Sequence, residues 1–280
     1  MYKILEKGEL NPSIDYYRIE APHIASKAKA GQFVVIRVDE VGERIPLTLA
    51  DWDANQGSIT LVVQKVGTST WKLASLSVGD GVQNLVGPLG LASEIENYGT
   101  VICVGGGVGI APIHPIVREL KKAGCKVITI IGARTRDLLF WEDKMRAVSD
   151  ELIVTTDDGS YARKGLVTQP LKELLEKDPG IKHVWAIGPV PMMKFCSLTT
   201  RPFGVHTIVS LNSIMVDGTG MCGCCRVAVD EATRFACVDG PEFDGHKVDW
   251  DLLAKRQLTY CDQEAQSLQL WNESCRCHEK

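Results

Sequence analysis

The chain has 280 residues, a net charge of −4, and 45% hydrophobic against 24% charged residues. That is more length than one compact domain usually takes, so two or three units with their own cores are expected. The absence of any Lys/Arg run, and of the roughly 18 consecutive apolar residues a bilayer span needs, speaks against nucleic-acid and membrane roles. The ten Cys follow a start, MYKILEKGEL, without a secretory pattern, which favours a reducing, cytoplasmic setting over disulfides.

Residues 1–97 show short apolar runs broken by turn residues, among them Phe33 to Val38 and Ile59 to Gln64. This spacing predicts a small antiparallel β-barrel. After Asn97-Tyr98-Gly99 the rhythm changes. A strand at Val101 to Val104 leads through Gly105-Gly106-Gly107-Val108-Gly109-Ile110-Ala111-Pro112 into a helix around Ile113 to Ala123, then a strand at Lys126 to Ile131. Further strands at Leu152 to Thr155 and His183 to Ile187 flank a helix at Thr168 to Glu176. Residues 98–208 thus read as an α/β unit with a parallel sheet. The last unit, 209–280, carries a Cys-rich loop and a helix near Asp249 to Arg256. Its tail, with Cys261, Cys275 and Cys277, matches no metal spacing and is expected to be mobile or covered by a partner.

The Gly loop between strand and helix is where bare backbone can approach a pyrophosphate, making Gly106, Gly107, Val108, Gly109 and Ile110 candidate nucleotide contacts. It is not G-x-G-x-x-G, since Ile110 stands at the last Gly, and a purely structural turn is the alternative. Arg134 and Arg136 follow the next strand, where they could hold a 2′-phosphate or belong to a solvated turn. Asp157, Gly188 and Pro189 end later strands at the edge where ligands of parallel sheets collect, and ordinary turns explain each of them equally well.

Asp217, Cys222, Cys225 and Cys237 form D-x4-C-x2-C-x11-C. A tight Gly-rich loop with C-x4-C-x2-C and a distant Cys suits a 2Fe-2S cluster, and Asp217 stands where the first Cys belongs. Zinc is the alternative, with His246 as the one nearby nitrogen ligand. Cys224 lies at the wrong offset and is expected to be a packed thiol.

Barrel, GGGVGIAP and cluster loop, in that order, resemble the ferredoxin-reductase superfamily over nearly the whole chain. Arg44-Ile45-Pro46-Leu47-Thr48 is similar to its flavin-binding R-x-Y-S region, although Arg44 lies four residues before Thr48 instead of three. Gly67-Thr68-Ser69-Thr70 is similar to its G-x-G-T segment, with Ser69 in place of the second Gly. The resemblance implies FAD held by Pro46, Leu47, Thr48, Leu49, Val63, Gln64, Gly67, Thr68, Ser69 and Thr70. It also implies NAD(H) or NADP(H) on the Gly loop and a 2Fe-2S cluster on Asp217 and the three Cys.

Within the superfamily the chain resembles electron-transfer subunits of dihydroorotate dehydrogenase. It resembles more strongly those of bifurcating NADH-dependent reduced-ferredoxin:NADP oxidoreductases, where the MVDGTGMCGCCR and FACVDGPEF patterns recur with Asp in place of Cys. This implies a heterodimer with a large flavin and iron-sulfur subunit and, through it, ferredoxin. Sulfide dehydrogenase or dihydroorotate dehydrogenase coupling, and a non-catalytic nucleotide-sensing module, are the competing expectations.

Overall fold

The structure is a computed structural model that describes residues 1–278, with side chains through Glu273. The first unit contains β1 (Tyr2–Asn11), β2 (Ile14–Glu20), α1 (Pro22–Ala25), β3 (Phe33–Arg37), β4 (Arg44–Asp53), β5 (Ser58–Gln64), α2 (Thr68–Ser75), β6 (Gly81–Val82) and β7 (Asn84–Leu89). Its strands form one antiparallel sheet in the order β6-β1-β2-β5-β4-β3-β7. Successive side chains of a strand point to opposite faces, so β3 divides its residues between two environments. Val34 and Ile36 join Ile4, Tyr17, Leu49 and Leu61 in the barrel core, while Phe33 and Val35 face outward into a separate apolar cluster.

The second unit runs β8 (Thr100–Gly106), α3 (Ile110–Lys122), β9 (Lys126–Ala133), α4 (Glu142–Val148), β10 (Glu151–Thr156), β11 (Arg163–Lys164), α5 (Thr168–Lys177), β12 (His183–Ile187), α6 (Val190–Thr200) and β13 (His206–Ser210). Val101, Ile102, Cys103 and Val104 are all fully buried, as expected of a parallel strand covered on both faces. On α3, Ile113, Ile116, Val117 and Leu120 recur at helical spacing and are likewise buried, fixing the helix to the sheet. A 3-10 turn over 107–109 feeds directly into α3, so the helix begins three residues before the expected Ile113.

The remainder adds β14 (Arg226–Val229), β15 (Ala232–Phe235), β16 (Glu242–Asp244), α7 (Trp250–Gln257) and α8 (Cys261–His278). The sheet order is β11-β10-β9-β8-β12-β13-β16, with β16 antiparallel to β13. The boundary placed at 208/209 falls inside β13, and the Cys-rich unit lends the nucleotide sheet its last strand. Pairing with β16 covers a strand edge that would otherwise be open.

Asp249 caps α7 through its carboxylate, which accepts from Leu252 N at 2.9 Å. The tail is a helix that returns to α2, with Cys261 exposed; the side chains of Cys275 and Cys277 lie outside the described residues. Barrel and α/β unit meet where Arg118 of α3 pairs with Asp51 of β4 at 2.5 Å and stacks over Trp52. Among the described residues no helix is long and apolar enough to cross a membrane.

Candidate functional site

The flavin candidates gather at one end of the barrel. Thr48 lies opposite Phe33 and Pro46 opposite Val35 in the β3–β4 ladder, and directly paired residues share a face. Pro46 and Thr48 therefore lie on the outer face with Phe33 and Val35, whereas Leu49 and Val63 are buried in the barrel core and offer backbone only. The β4–β5 ladder ends at Leu49–Leu61, so residues 46–48 and Gln64 are outside that pairing. Beyond them α2 begins. Gly67 at its cap has no side chain to satisfy the first-turn amides, and among the described residues no atom lies within 4 Å of where a Cβ would stand. The Thr70 hydroxyl turns back to accept from Val66 N and Gly67 N, both at 3.0 Å, and donates to Gly67 O at 2.8 Å, which fixes the turn. Ser69 lies beside it in the same turn.

The nucleotide candidates collect at the carboxyl edge of the parallel sheet. Strands β10, β9, β8 and β12 are neighbours; in their register Gly188 follows the residue paired with Gly105 and so stands beside Gly106, while Asp157 and Arg134 stand together two residues further out on the same edge. A Cβ at Gly109 would meet Ile187 O at 2.2 Å, and one at Gly188 would meet Gly106 O at 2.9 Å. Gly107, at φ +54°, opens to free space, while Val108 is half-buried and Ile110 is core. This leaves an open backbone ledge above the strand ends, bordered by Pro189 and by Met192, whose sulfur lies over Gly106. Burial raises the Asp157 carboxyl while the Arg134 charge opposes it. Arg136 packs its guanidinium over the Tyr161 ring at 5.4 Å.

The cluster candidates split into two halves. The β14–β15 hairpin pairs Arg226 with Phe235, and this brings the flanking Cys225 and Cys237 sulfurs to 3.2 Å. A tetrahedral ion with ~2.3 Å sulfur bonds separates two ligands by roughly 3.8 Å, so this pair needs to open by only about half an ångström. Burial, then the Cys225 contact, raises the Cys237 thiol.

The other half lies on a loop turned by Gly218, Gly220 and Gly223, all at positive φ. Asp217 Oδ2 accepts from Thr219 N at 2.9 Å, Thr219 Oγ1 at 2.5 Å and Met221 N at 3.4 Å. The Thr219 hydroxyl bond leads in holding this carboxyl below its usual range. A hydrogen bond from the Cys224 backbone amide lowers the exposed Cys222 thiol. Among the described residues no three metal-binding side chains converge.

Zinc, the alternative metal, finds no imidazole at this site among the described residues. His246 directs Nε2 to Thr200 Oγ1 at 2.9 Å, away from the cysteines. Cys224 is half-buried instead of packed, and its carbonyl accepts from Arg256 Nη2 at 3.0 Å, a contact with no sequence signal.

Flavin and cluster candidates lie next to one another. Phe33, Val35 and Leu89 pack with Met215, Cys225, Ala236 and Cys237. A Cβ at Gly218 would meet Val35 Cγ2 at 2.7 Å, which shows how closely the loop lies on β3. The cluster residues thus cover β3 and β7 on the face where β4, the adjacent strand, presents Pro46 and Thr48.

A buried acid sits where the units meet. Ser93 Oγ donates to Glu242 Oε1 at 2.6 Å, and Ser93 N donates to Ala30 O at 2.9 Å. The residue keeps some surface but its carboxyl is enclosed, and burial pushes it up to about 7.

Residues 212–249 match the family described as the iron-sulfur cluster binding domain of dihydroorotate dehydrogenase B. Residues 103–197 match the oxidoreductase NAD-binding domain. A Thermotoga maritima protein named as a homolog of the dihydroorotate dehydrogenase B (NAD(+)) electron transfer subunit is 50% identical, over 94% of this chain and 92% of its own. An uncharacterized Clostridium beijerinckii protein is 50% identical over 95% and 93%. A chain from the solved structure of an NADH-dependent reduced ferredoxin-NADP oxidoreductase, studied for flavin-based electron bifurcation, superposes with a TM-score of 0.92. It is 49% identical, over 97% of this chain and 98% of that one.

Proposed function

The chain belongs to the family of electron-transfer subunits related to dihydroorotate dehydrogenase B, and from that membership we propose that it carries electrons between a nicotinamide nucleotide and a large partner subunit. The ledge at Gly106 to Ile110, with Arg134, Asp157, Gly188 and Pro189, seats the nucleotide. Residues Pro46 to Leu49, Val63, Gln64 and Gly67 to Thr70 seat FAD. Asp217, Cys222, Cys225 and Cys237 hold a 2Fe-2S cluster, with the hairpin pair as its preassembled half. When bound, FAD supplies the conversion between the electron pair of a hydride and the single electrons a 2Fe-2S cluster carries.

The observation that carries this reading is the shared outer face of β3, β4 and β7. The cluster residues pack on β3 and β7 and the flavin residues Pro46 and Thr48 lie on β4, about 4.8 Å from β3, so the two electron carriers would sit side by side. The chain's own residues orient and space these groups and keep water out between them through Phe33, Val35 and Leu89. The likeness to the ferredoxin-NADP oxidoreductase chain favours a bifurcating heterodimer, with ferredoxin reached through the large subunit. A reducing, cytoplasmic location belongs to this reading, since Cys222, Cys225 and Cys237 must stay free as ligands.

Cys225→Ser is expected to lose most of the visible cluster absorption and the transfer to the large subunit, while NADH still bleaches the flavin. Unchanged cluster absorption in that variant would overturn the assignment. Bleaching rates with NADH and NADPH decide the preferred nucleotide.

A further inference from the structure

We propose that Ser267 and the surrounding face of α8 form the outer wall of the flavin-diphosphate seat, so that this helix is part of the FAD site. The inference rests on the reading of α2 as that seat and extends the site to a segment without a binding motif.

After α7, which holds the cluster loop through Arg256, the chain crosses back to the barrel. Helix α8 packs against α2. The Thr68 and Ser267 hydroxyl oxygens lie 2.9 Å apart, and Lys72 Nζ stands 5.9 Å from the centre of the Trp271 ring. Thr68 and Lys72 are one helical turn apart, as are Ser267 and Trp271, so the two faces match turn for turn. Ser267, Leu268 and Trp271 are half-buried, whereas Gln263, Glu264, Gln266 and Gln269 are exposed. Among the described residues the buried side of α8 is therefore one stripe, turned toward α2.

That stripe opens on chemistry suited to an anion. Thr68 is the first residue of α2, where Gly67 leaves the amides uncapped and the helix dipole favours negative charge. A diphosphate seated on those amides lies beside the Thr68 hydroxyl and within reach of the Ser267 hydroxyl facing it. Lys72, one turn along, is paired with Asp39 at 2.8 Å and fixes that side of α2. A ligand touching both helices adds to their direct contacts, and α8 in turn shields it from water.

The test uses the full chain with its cluster and measures FAD release by the rise in flavin fluorescence. Ser267→Glu sets a carboxylate against the diphosphate and is expected to speed release at least tenfold, with cluster absorption retained. Gln266→Glu, on the exposed face, is expected to match the parent. Thr68→Glu is expected to lose FAD. If Thr68→Glu loses FAD while Ser267→Glu releases it at the parent rate, the α8 wall is overturned and the seat stands. If Thr68→Glu holds FAD at the parent rate, the seat itself is overturned, and the wall with it.

Discussion

At the scale of single residues, the nucleotide ledge depends on where a methyl group can fit. At Gly109 a Cβ collides with the Ile187 carbonyl and Gly188 Cα, which are backbone and cannot step aside. At Gly106 the obstacle is the Met192 sulfur, near the end of a flexible side chain. Gly109→Ala is therefore expected to cost about 2 kcal/mol and to slow flavin reduction by NADH. Gly106→Ala should cost about 1 kcal/mol or less. Urea midpoints of the two variants check the order; equal losses would show that the ledge adjusts as a whole. The GGGVGIAP run marked the ledge in the sequence, but the ranking of its glycines depends on β12 and α6, more than seventy residues away in the chain. The offset alone singles out Asp217 as a candidate ligand. The three loop donors that hold its carboxylate have no such signal, because they follow from the positive φ of Gly218 and Gly220.

At the scale of elements, periodicity located most strands and helices, and His183 to Ile187 matches β12 residue for residue. It gave no warning of β16, three residues containing Glu and Asp whose strand character comes from the open edge of β13. Nor did it reveal α8, whose mixed polar sequence shows no strong apolar stripe and takes its position from α2. The β16 pairing predicts how fragments behave. A chain cut at residue 208 lacks β16 and the last two residues of β13, exposing a strand edge. It is expected to aggregate, whereas one cut after Gln257 keeps the whole sheet and stays monomeric. Size-exclusion profiles of the two fragments separate these outcomes, and a monodisperse 1–208 fragment would show the Cys unit to be dispensable for the sheet.

At the scale of the whole molecule, three segments distant in sequence meet at Glu242, which is why no local motif announced it. Its folded value of about 7 lies above the ordinary 4.5, so the sign is that of a buried acid preferring its proton. The stabilisation is complete below the ordinary value and is lost as pH rises through 7, because the unfolded chain ionises freely while the folded one must bury a charge. At roughly 1.4 kcal/mol per pKa unit the loss approaches about 3 kcal/mol. The parent protein should therefore lose melting temperature between about pH 5 and about pH 8 relative to Glu242→Gln. Parallel melting curves for the two across that range would remove the acid from the account.

The same assembly sets two kinds of spacing. The nucleotide ledge and the barrel belong to different units joined across side-chain contacts such as Arg118 with Asp51, and such joints can flex. The proposed cluster residues instead rest on β3 through a buried apolar contact, and β3 is tied to β4, which carries the proposed flavin residues, by a ladder without a register shift. Solvent viscosity should thus slow the two-electron half of the traffic and leave the one-electron half at its own pace, so that this subunit keeps time at a hinge and keeps distance with a strand.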